Sequence, residues 1–464
     1  MRWLNQVVST TVSSTQEAPG LQSGPARYDW IGLTLKSAIA LFLVAVAALV
    51  WEDPSFARML TRRPPINVSS DLLSSAVMGL ARFLSLFFGF VILFRSAFWL
   101  RYRPVGPRPD LPKLSVIVPA YNEGPMIAHT LQAILTADYP PALLEVICID
   151  DGSMDNTWEH LAAAQAAHPG RVTSIRFPIN RGKRQALYAG FQAAQGDVLV
   201  TVDSDSLIEP PALRALVAPL QADPQVGAVA GKVRVLNRRE SLITRMLTVV
   251  YILAFDYIRA SQSTFKTVIC CPGALSAYRR TVIAPILDQW LQQHFLGVRC
   301  TYGEDRSLTN FILQAGYYCV YQQSAVVHTL VPATYGRLCR MYLRWQRSNI
   351  RESLRLGRFL FTRCRSRYRV LAIADFFFIN GRFILQPVGT LLSLCVLVSS
   401  PSYLVPFIAG IAIAATASMV YYIRTERDSD CFYWILYAYF SLIALVWVPV
   451  AAALTLRHQS WMTR

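Results

Sequence analysis

Residues 114–235 alternate between short runs rich in β-branched residues and segments whose apolar residues have helical spacing. The runs lie at 114–119, 145–149, 198–202 and 226–233, and the helical patterns at 126–137, 156–167, 184–195 and 210–221. Such alternation is typical of βαβ units, in which helices connect the strands of a parallel sheet. The middle of the chain is therefore predicted to be an α/β domain with a Rossmann-like, mostly parallel sheet.

Long apolar segments flank this region on both sides. Of the 464 residues, 53% are hydrophobic and only 16% are charged. A membrane-spanning helix needs about 20 apolar residues. Segments 30–51, 72–100, 385–399, 403–421 and 432–456 are predicted to span a membrane, while 369–384 could lie in the interface. The number of spans is left at five or six.

The charge is strongly positive, with 45 Lys and Arg against 28 Asp and Glu, a net charge of +17. This balance suits an anionic membrane surface or an anionic substrate. The chain has no basic low-complexity arm, so no nucleic-acid partner is expected. The basic segments 101–113 and 335–368 place the middle domain in the cytoplasm of a multi-pass protein of the inner or plasma membrane. None of the nine cysteines has CxxC spacing, so neither a zinc site nor a disulfide framework is expected.

These observations divide the chain into five parts. A polar N-terminal segment, predicted to be flexible, is followed by two membrane helices, the α/β domain, a set of basic and interfacial helices, and the C-terminal membrane helices. Their predicted bounds are 1–29, 30–100, 101–335, 336–384 and 385–464.

Three of the predicted strands end in polar clusters, within LSVIVPAYNE (114–123), EVICIDDGSMDNT (145–157) and DVLVTVDSDS (197–206). Ligands of open α/β sheets bind at the carboxyl ends of the strands, so these clusters are predicted to share one site. Asp203 and Asp205 offer the oxygen ligands that Mg²⁺ or Mn²⁺ prefers. The segment Asn180–Arg184 places two or three cations beside the same site, where they could bind a diphosphate.

Each of these motifs is weak by itself, but their order is informative. Together with CCPGALSAYRR (270–280), GEDR (303–306) and RWQRSNIRE (344–352), the chain resembles the membrane-embedded, processive glycosyltransferases of family 2. Among these it is most similar to hyaluronan synthases and Nod-factor chitooligosaccharide synthases. The resemblance covers residues 114–352 and implies a GT-A-like cytoplasmic domain inserted between transmembrane helices.

The resemblance assigns donor-binding roles to the first polar clusters. It implies that the uridine and diphosphate of a UDP-sugar contact Ala120, Tyr121, Glu123, Asp150, Asp151, Lys183 and Asp203. It also implies that Asp205, with Asp203, binds the metal ion, Mg²⁺ or Mn²⁺.

The later motifs are assigned to the acceptor side. The resemblance implies that Cys271, Pro272 and Gly273 form the floor of the acceptor site. Asp305, with Glu304 beside it, is implied to be the general base, and Arg344 and Trp345 are implied to bind the diphosphate and stack on the acceptor sugar. Two positions depart from the family pattern: Met341 replaces the usual Gln or Arg of (Q/R)xxRW, and Glu304 replaces the first Asp of GDDR.

The function implied is a processive, inverting β-glycosyltransferase that extends and exports a polysaccharide and contacts membrane lipids. Hyaluronan synthesis from UDP-GlcNAc and UDP-GlcA is the first expectation. A chitin or chitooligosaccharide synthase that uses UDP-GlcNAc alone is the close alternative. A non-processive, lipid-linked glycosyltransferase and a catalytically silent export channel are the remaining alternatives.

Several charged residues have a simpler explanation than catalysis. The six histidines show no metal-ligand spacing and are expected to be ordinary. Arg347 and Arg351 are predicted to lie at the membrane surface.

Arg82 and Arg95 fall inside a predicted span, where a charge usually faces a bundle interior or a watery cavity. Arg82 is therefore a candidate channel residue. The alternative is that it lies nearer the membrane interface than the predicted span bounds indicate.

Overall fold

The computed structural model describes residues 30–52, 71–362, 367–399 and 404–458. The predicted flexible segment 1–29 lies outside these residues. An eight-stranded sheet forms the middle of the chain, with strand order β3-β2-β1-β4-β7-β6-β10-β5. The strands are β1 Leu114–Ala120, β2 Leu144–Asp150, β3 Val172–Arg176, β4 Val198–Thr201, β5 Ser206–Ile208, β6 Val226–Val235, β7 Ser276–Arg279 and β10 Tyr318–Thr329. A separate two-stranded hairpin contains β8 His294–Phe295 and β9 Val298–Arg299.

Helices cover the sheet and continue beyond it. Those up to the end of the α/β region are α1 Trp30–Glu52, α2 Asp71–Arg101, α3 Met126–Leu135, α4 Thr157–Ala167, α5 Lys183–Ala193, α6 Ala212–Ala222, α7 Leu242–Val250, α8 Tyr257–Thr264, α9 Arg280–Ile283, α10 Leu287–Leu291 and α11 Glu304–Gln314. The C-terminal ones are α12 Tyr335–Leu360, α13 Arg369–Ser399, α14 Leu404–Glu426, α15 Tyr433–Ala444 and α16 Trp447–Leu454. Between α7 and α8 the segment Tyr251–Asp256 is a π-helix.

The predicted α/β architecture is confirmed, and its parallel half forms as the sequence indicates. Strands β3, β2, β1 and β4 are mutually parallel, and every residue of β1 is buried. A strand covered by helices on both faces must be apolar on both, which explains the continuous hydrophobic run at 114–119. Beyond β4 the sheet becomes mixed, because β7 runs antiparallel to both β4 and β6.

The C-terminal helices differ from the predicted spans in two places. Helix α13 runs without a break through residue 384, which the sequence predicts to be a boundary between interfacial and membrane helices. The predicted span 432–456 is bent by 50° between α15 and α16. Among the described residues, two helices are long and apolar enough to cross a membrane, Arg369–Cys395 and Phe407–Glu426, and the bent pair would make a third.

A buried ion pair explains why α13 continues through its polar positions. Asp375 of α13 forms an ion pair with Arg95 of α2, and both side chains are almost completely buried. Gln262 of α8 donates a hydrogen bond to the other carboxylate oxygen of Asp375, with 2.7 Å between Nε2 and Oδ2. A buried charge is tolerated when it is paired and hydrogen-bonded. Arg95 therefore faces another helix, while the side chain of Arg82 lies outside the described residues.

Close packing of α5 on the sheet generates the first prediction. A Cβ atom at Gly190 would lie 2.5 Å from Ile117 Cγ2 and 2.8 Å from Ile149 Cδ1, so Gly190→Ala overpacks the core. We expect a loss of about 1–3 kcal/mol in stability, measured as a lower apparent melting temperature of the enzyme in nanodiscs. Gly336→Ala is the matched control, because in the described part of the chain no heavy atom beyond its sequence neighbours and its own helix backbone lies within 4 Å of its Cβ position. An unchanged melting temperature for Gly190→Ala would contradict this packing.

Candidate active site

The predicted site residues converge on one large cavity at the carboxyl ends of β1, β2 and β4. Its volume is about 1170 Å³, and it extends from these strand ends to Ile379, Phe383 and Gln386 of α13. It is lined by Ala120, Tyr121, Glu123, Asp151, Lys183, Asp203, Asp205, Pro272, Gly273, Glu304, Asp305, Arg344 and Trp345. Of the predicted site residues, only Asp150 and Cys271 do not line it.

Asp151 fixes the loop that leads into α5. Its two carboxylate oxygens accept hydrogen bonds from the backbone N–H groups of Arg181 and Gly182, at 2.7 and 2.9 Å. Burial raises the pKa of Asp151, while these two N–H groups oppose the rise. At Gly152, φ is 74° and a Cβ atom would lie 2.5 Å from the carbonyl carbon of Ile179, so only glycine allows this approach. Because Lys183 comes directly after Gly182, these two hydrogen bonds of Asp151 also hold Lys183 at the cavity.

Lys183 links two acidic motifs that are far apart in sequence. Its Nζ lies 2.5 Å from Asp203 Oδ1 and 3.3 Å from Glu304 Oε1. Burial disfavours the charge on Lys183, but the carboxylates of Asp203, Glu304 and Asp305 outweigh it and raise the pKa of the amine. Lys183 is therefore a fixed positive charge within a group of carboxylates.

The turn at Pro272–Gly273 comes close to this ion pair. A Cβ atom at Gly273 would lie 2.9 Å from Asp203 Oδ1 and 3.0 Å from Lys183 Nζ, so the glycine leaves room for both groups. Cys271 is completely buried in the core, and its neighbour Cys270 lines the cavity instead. The side chain of Cys271 therefore packs in the apolar core and not at the cavity, where Cys270, Pro272 and Gly273 lie.

Asp150 is also placed differently from expectation. Its side chain is completely buried, Oδ1 accepts a hydrogen bond from the N–H of Ser153 at 2.9 Å, and Oδ2 lies 3.3 Å from Arg176 Nε. Asp150 therefore stabilises the Asp151–Gly152 turn through the N–H of Ser153, and it does not line the cavity.

Glu304 and Asp305 open α11 after Gly303, whose φ is 73°. Burial and the adjacent Glu304 raise the pKa of Asp305, although its Oδ1 accepts a hydrogen bond from the N–H of Arg306 at 2.6 Å. Burial acts in the same direction on Glu304, but Lys183, the backbone N–H of Glu304 and the charges of Arg344 and Arg184 together outweigh it and lower the pKa of this carboxyl. Neighbouring carboxyls with opposite shifts suit an acid–base pair, in which Asp305 has the higher proton affinity.

The acidic residues after β4 have separate environments. Asp203 is paired with Lys183, whereas Asp205 Oδ1 accepts a hydrogen bond from Thr329 Oγ1 at 3.2 Å. Ser204, between them, donates to Glu123 Oε1 at 2.7 Å. No group of three His, Cys, Asp or Glu side chains that could hold a metal ion occurs among the described residues. Two carboxylates nevertheless fit Mg²⁺ or Mn²⁺ that takes its other ligands from water and substrate phosphates.

Helix α12 brings Arg344 and Trp345 to the cavity wall. The Trp345 ring packs edge-on against Phe255, with 5.7 Å between ring centroids, and also contacts Tyr251 at 6.2 Å. Both partners belong to the π-helix Tyr251–Asp256, and both line the cavity. No sequence pattern marks this π-helix, although such segments are frequent at functional sites.

Three arginines lie elsewhere than predicted. Arg347 and Arg351 are 5% and 3% exposed, and so they are not at a membrane surface. Arg347 donates to Thr455 Oγ1 at 3.0 Å, and Arg351 donates to the carbonyl of Tyr302 at 2.5 Å. Arg184 is also buried, with Nη1 2.8 Å from the carbonyl of Trp290, so it does not face the cavity beside Lys183. Each guanidinium joins distant segments of the fold.

Comparison with known proteins agrees with this geometry. Residues 115–287 match the family model described as Glycosyl transferase family 2. An N-acetylglucosaminyltransferase from Azorhizobium caulinodans is 31% identical over 363 residues, which cover 77% of this chain and 88% of that protein. The chain belongs to glycosyltransferase family 2. It is therefore a glycosyltransferase with a GT-A-like domain.

Further comparisons extend this result. The N-acetylglucosaminyltransferase from Rhizobium meliloti is 39% identical over 251 residues, 54% of this chain and 58% of that relative, so the alignment spans little more than half of that protein. A solved mannosyltransferase from Pyrobaculum calidifontis, in complex with GDP-Man and Mn²⁺, has a TM-score of 0.56 at 22% identity. That structural match covers 80% of this chain and 98% of the mannosyltransferase. At this identity it supports the fold of the family 2 enzyme.

The hydrogen bonds of Asp151 generate a second prediction. In Asp151→Asn the side chain accepts from only one of the N–H groups of Arg181 and Gly182, and its NH₂ group opposes the other. An unsatisfied buried donor costs about 1–3 kcal/mol. We therefore expect amide exchange at residues 181–182 to accelerate about tenfold or more, measured by hydrogen–deuterium exchange with mass spectrometry.

The control for this experiment is Asp138→Asn, which changes a more exposed carboxylate that pairs with Arg214. Exchange at residues 181–182 should be the same in this variant as in the parent. Equal exchange in Asp151→Asn and the parent would show that Asp151 does not hold the loop.

Proposed function

We propose that this enzyme transfers N-acetylglucosamine from UDP-GlcNAc to the end of a growing β-linked oligosaccharide, with inversion at the transferred carbon. The observation that carries the proposal is the N-acetylglucosaminyltransferase relative, of which the alignment covers 88%. The relatives favour this chitooligosaccharide-type activity over hyaluronan synthesis, the first expectation from sequence. The cavity of about 1170 Å³ has room for a donor and several sugar units.

Asp305 is the proposed general base. The hydroxyl oxygen of the acceptor sugar attacks the anomeric carbon of the donor, the bond from that carbon to UDP breaks, and Asp305 takes the hydroxyl proton. Its raised pKa suits this task, because a stronger base accepts a proton more readily. Cys270, whose Sγ lies 3.6 Å from Asp305 Oδ2, lines the cavity beside it.

The donor is proposed to lie along the strand ends. Tyr121, Glu123 and Asp151 would contact the nucleoside, and Lys183 and Arg344 would offset the charge on the diphosphate as it leaves. Asp205, together with Asp203, would hold Mg²⁺ or Mn²⁺, which stabilises the leaving diphosphate. Asp205 is the stronger ligand candidate, because Asp203 Oδ1 is already engaged by Lys183.

The membrane helices are proposed to guide the product outward. The cavity reaches α13, one of the two helices that could cross a membrane. We therefore retain the sequence-based proposal of a multi-pass, lipid-embedded enzyme of the inner or plasma membrane. Its catalytic domain would lie in the cytoplasm, and its ligands would be sugars, not nucleic acid. Trp345, held against Phe255, would stack on the acceptor sugar.

The donor is tested by measuring UDP release from the purified enzyme in nanodiscs with Mn²⁺ or Mg²⁺. UDP-GlcNAc and UDP-GlcA are supplied singly and together. We expect release with UDP-GlcNAc alone and a product that chitinase degrades. Sustained release only with both donors, giving a hyaluronidase-sensitive polymer, would replace this proposal with hyaluronan synthesis.

Substitution of the proposed base gives a third prediction. Asp305→Asn should lower kcat about 100- to 10,000-fold, because the amide cannot accept the hydroxyl proton. The control is Asp288→Asn, which alters an exposed aspartate whose Oδ1 accepts a hydrogen bond from the Tyr188 hydroxyl at 2.6 Å. This control should release UDP at the parent rate. UDP release at the parent rate in Asp305→Asn would exclude Asp305 as the base.

The charges around Asp305 give a fourth prediction, on pH dependence. The base acts only when deprotonated, so kcat/KM falls as pH drops through its pKa. Glu304→Gln removes a carboxylate that raises this pKa, and the acid limb should move to lower pH. Lys183→Met removes a charge that lowers this pKa, and the limb should move to higher pH.

The pH profiles are compared with that of Lys266→Met, whose lysine pairs with Asp223 away from the cavity. This control should leave the acid limb where it is in the parent. Shifts of Glu304→Gln and Lys183→Met in the same direction would contradict the assignment of the limb to Asp305.

A further inference from the structure

Glu352 is a completely buried glutamate that the proposed reaction does not use. It lies on α12, two helical turns after Arg344 and Trp345, at 0% exposure. Burial of a carboxylate is costly unless other groups neutralise it and donate hydrogen bonds to it. The groups that donate hydrogen bonds to Glu352 therefore indicate which parts of the fold this charge holds together.

Both carboxylate oxygens of Glu352 are engaged. Oε1 accepts hydrogen bonds from Gln293 Nε2 at 2.8 Å and from Arg351 Nε at 3.1 Å. Oε2 accepts a hydrogen bond from Asn310 Nδ2 at 3.0 Å, and the same amide donates to the backbone carbonyl of Glu352. Asn310 belongs to α11, the helix that begins with Glu304 and Asp305, so Glu352 fastens α12 to α11.

Gln293 extends this contact to a third helix. Its Oε1 accepts hydrogen bonds from Arg184 Nη1 at 3.0 Å and from Ser307 Oγ at 2.5 Å. Arg184 directly follows Lys183 at the start of α5, and Ser307 is on α11. Helices α5, α11 and α12 present Lys183, Asp305 and Arg344 to the cavity. The Glu352 carboxylate and the Gln293 amide join these three helices on the side away from the cavity.

The packing at Gly303 shows how closely α12 approaches the proposed base. A Cβ atom at Gly303 would lie 1.9 Å from Ser348 Oγ and 2.9 Å from Arg351 Nη2. A displacement of α12 would therefore move the Gly303–Asp305 turn with it. Errors of about 1 Å in the placement of reacting groups can cost about 100-fold in rate.

We propose that Glu352 is a positioning residue that sets the separation of Lys183, Asp305 and the Arg344–Trp345 pair through its hydrogen bonds to Asn310 and Gln293. This inference rests on the proposed roles of those four cavity residues. Glu352 does not line the cavity, so its carboxylate would contact neither the sugar nor the nucleotide of a bound donor. Its effect is therefore expected in the chemical step and not in the binding of the nucleoside.

Glu352→Gln tests the proposal, because it keeps the shape of the side chain and replaces one acceptor oxygen by a donor. In one orientation the new NH₂ group faces the NH₂ group of Asn310, and in the other it faces the donors of Gln293 and Arg351, so one donor–donor contact arises in either case. We expect kcat for UDP release to fall roughly 10- to 100-fold, with KM for UDP-GlcNAc changed less than about threefold. Asn310→Asp in the same chain restores a donor–acceptor pair, and the double variant should recover part of the lost kcat.

Arg355→Met is the matched control on the same helix. Arg355 also joins α12 to α11, through the ring of Phe311 and Gln314 Oε1. In the described residues neither a hydrogen bond nor an ion pair joins it to Glu352 or Gln293, and its charge acts on Glu352 only at longer range. This variant should lower the melting temperature and leave kcat and KM within about twofold of the parent. If Glu352→Gln behaves in the same way, Glu352 is only structural and the proposal is overturned.

A variant outside the helices keeps the proposal testable if Glu352→Gln does not fold. Gln293→Met removes the link between Arg184 and Glu352 and nearly conserves volume, and it should reproduce the loss in kcat without a change in KM. Unchanged kcat in Gln293→Met would overturn the proposal. If the parent releases no UDP from UDP-GlcNAc, the proposed donor is wrong, and the same variants are compared with the sugar nucleotide that the parent does use.

Discussion

The arrangement of the cavity depends on the two ion pairs that Lys183 forms with Asp203 and Glu304. Asp203, Glu304 and Asp305 come from motifs about 100 residues apart, and like charges so close in a buried place would repel each other. Lys183 lies 2.5 Å from Asp203 and 3.3 Å from Glu304 and so joins the end of β4 to the start of α11. Without this ammonium group the strand end and the helix could not share one site at neutral pH.

The positions of these charges follow from hydrogen bonds to backbone groups. Asp151 binds the N–H groups of Arg181 and Gly182 and so holds the start of α5, from which Lys183 extends. Gly273 has no side chain to displace the ion pair, and Gly303 allows Ser348 and Arg351 of α12 to pack close to the start of α11. The site is therefore built on rigid elements, as is required where catalytic groups must hold their distances to a fraction of an ångström.

Much of the parallel half of the fold could be predicted from local pattern. The β1 and β2 runs and the four helices between 126 and 222 are found within about two residues of their predicted positions. Four strands of the sheet, β3, β5, β7 and β10, lie outside the predicted runs. Of these, Ser206–Ile208 and Ser276–Arg279 are too short to show a period. The π-helix Tyr251–Asp256 was not predicted either, because its residues do not differ in type from those of an ordinary apolar helix.

The candidate site residues could be predicted from sequence alone, because polar side chains at the ends of apolar strands must lie at one edge of a parallel sheet. Which way each charge faces depends on the fold. Arg347, Arg351 and Arg184 turn inward, and Asp375 is buried within α13, because each has a partner from a distant segment. Residue type and helical spacing are the same for an arginine at a membrane surface and for one that binds a buried carboxylate or carbonyl. The two cases differ only in whether a partner group lies within reach of the guanidinium, and the position of that partner depends on the tertiary structure.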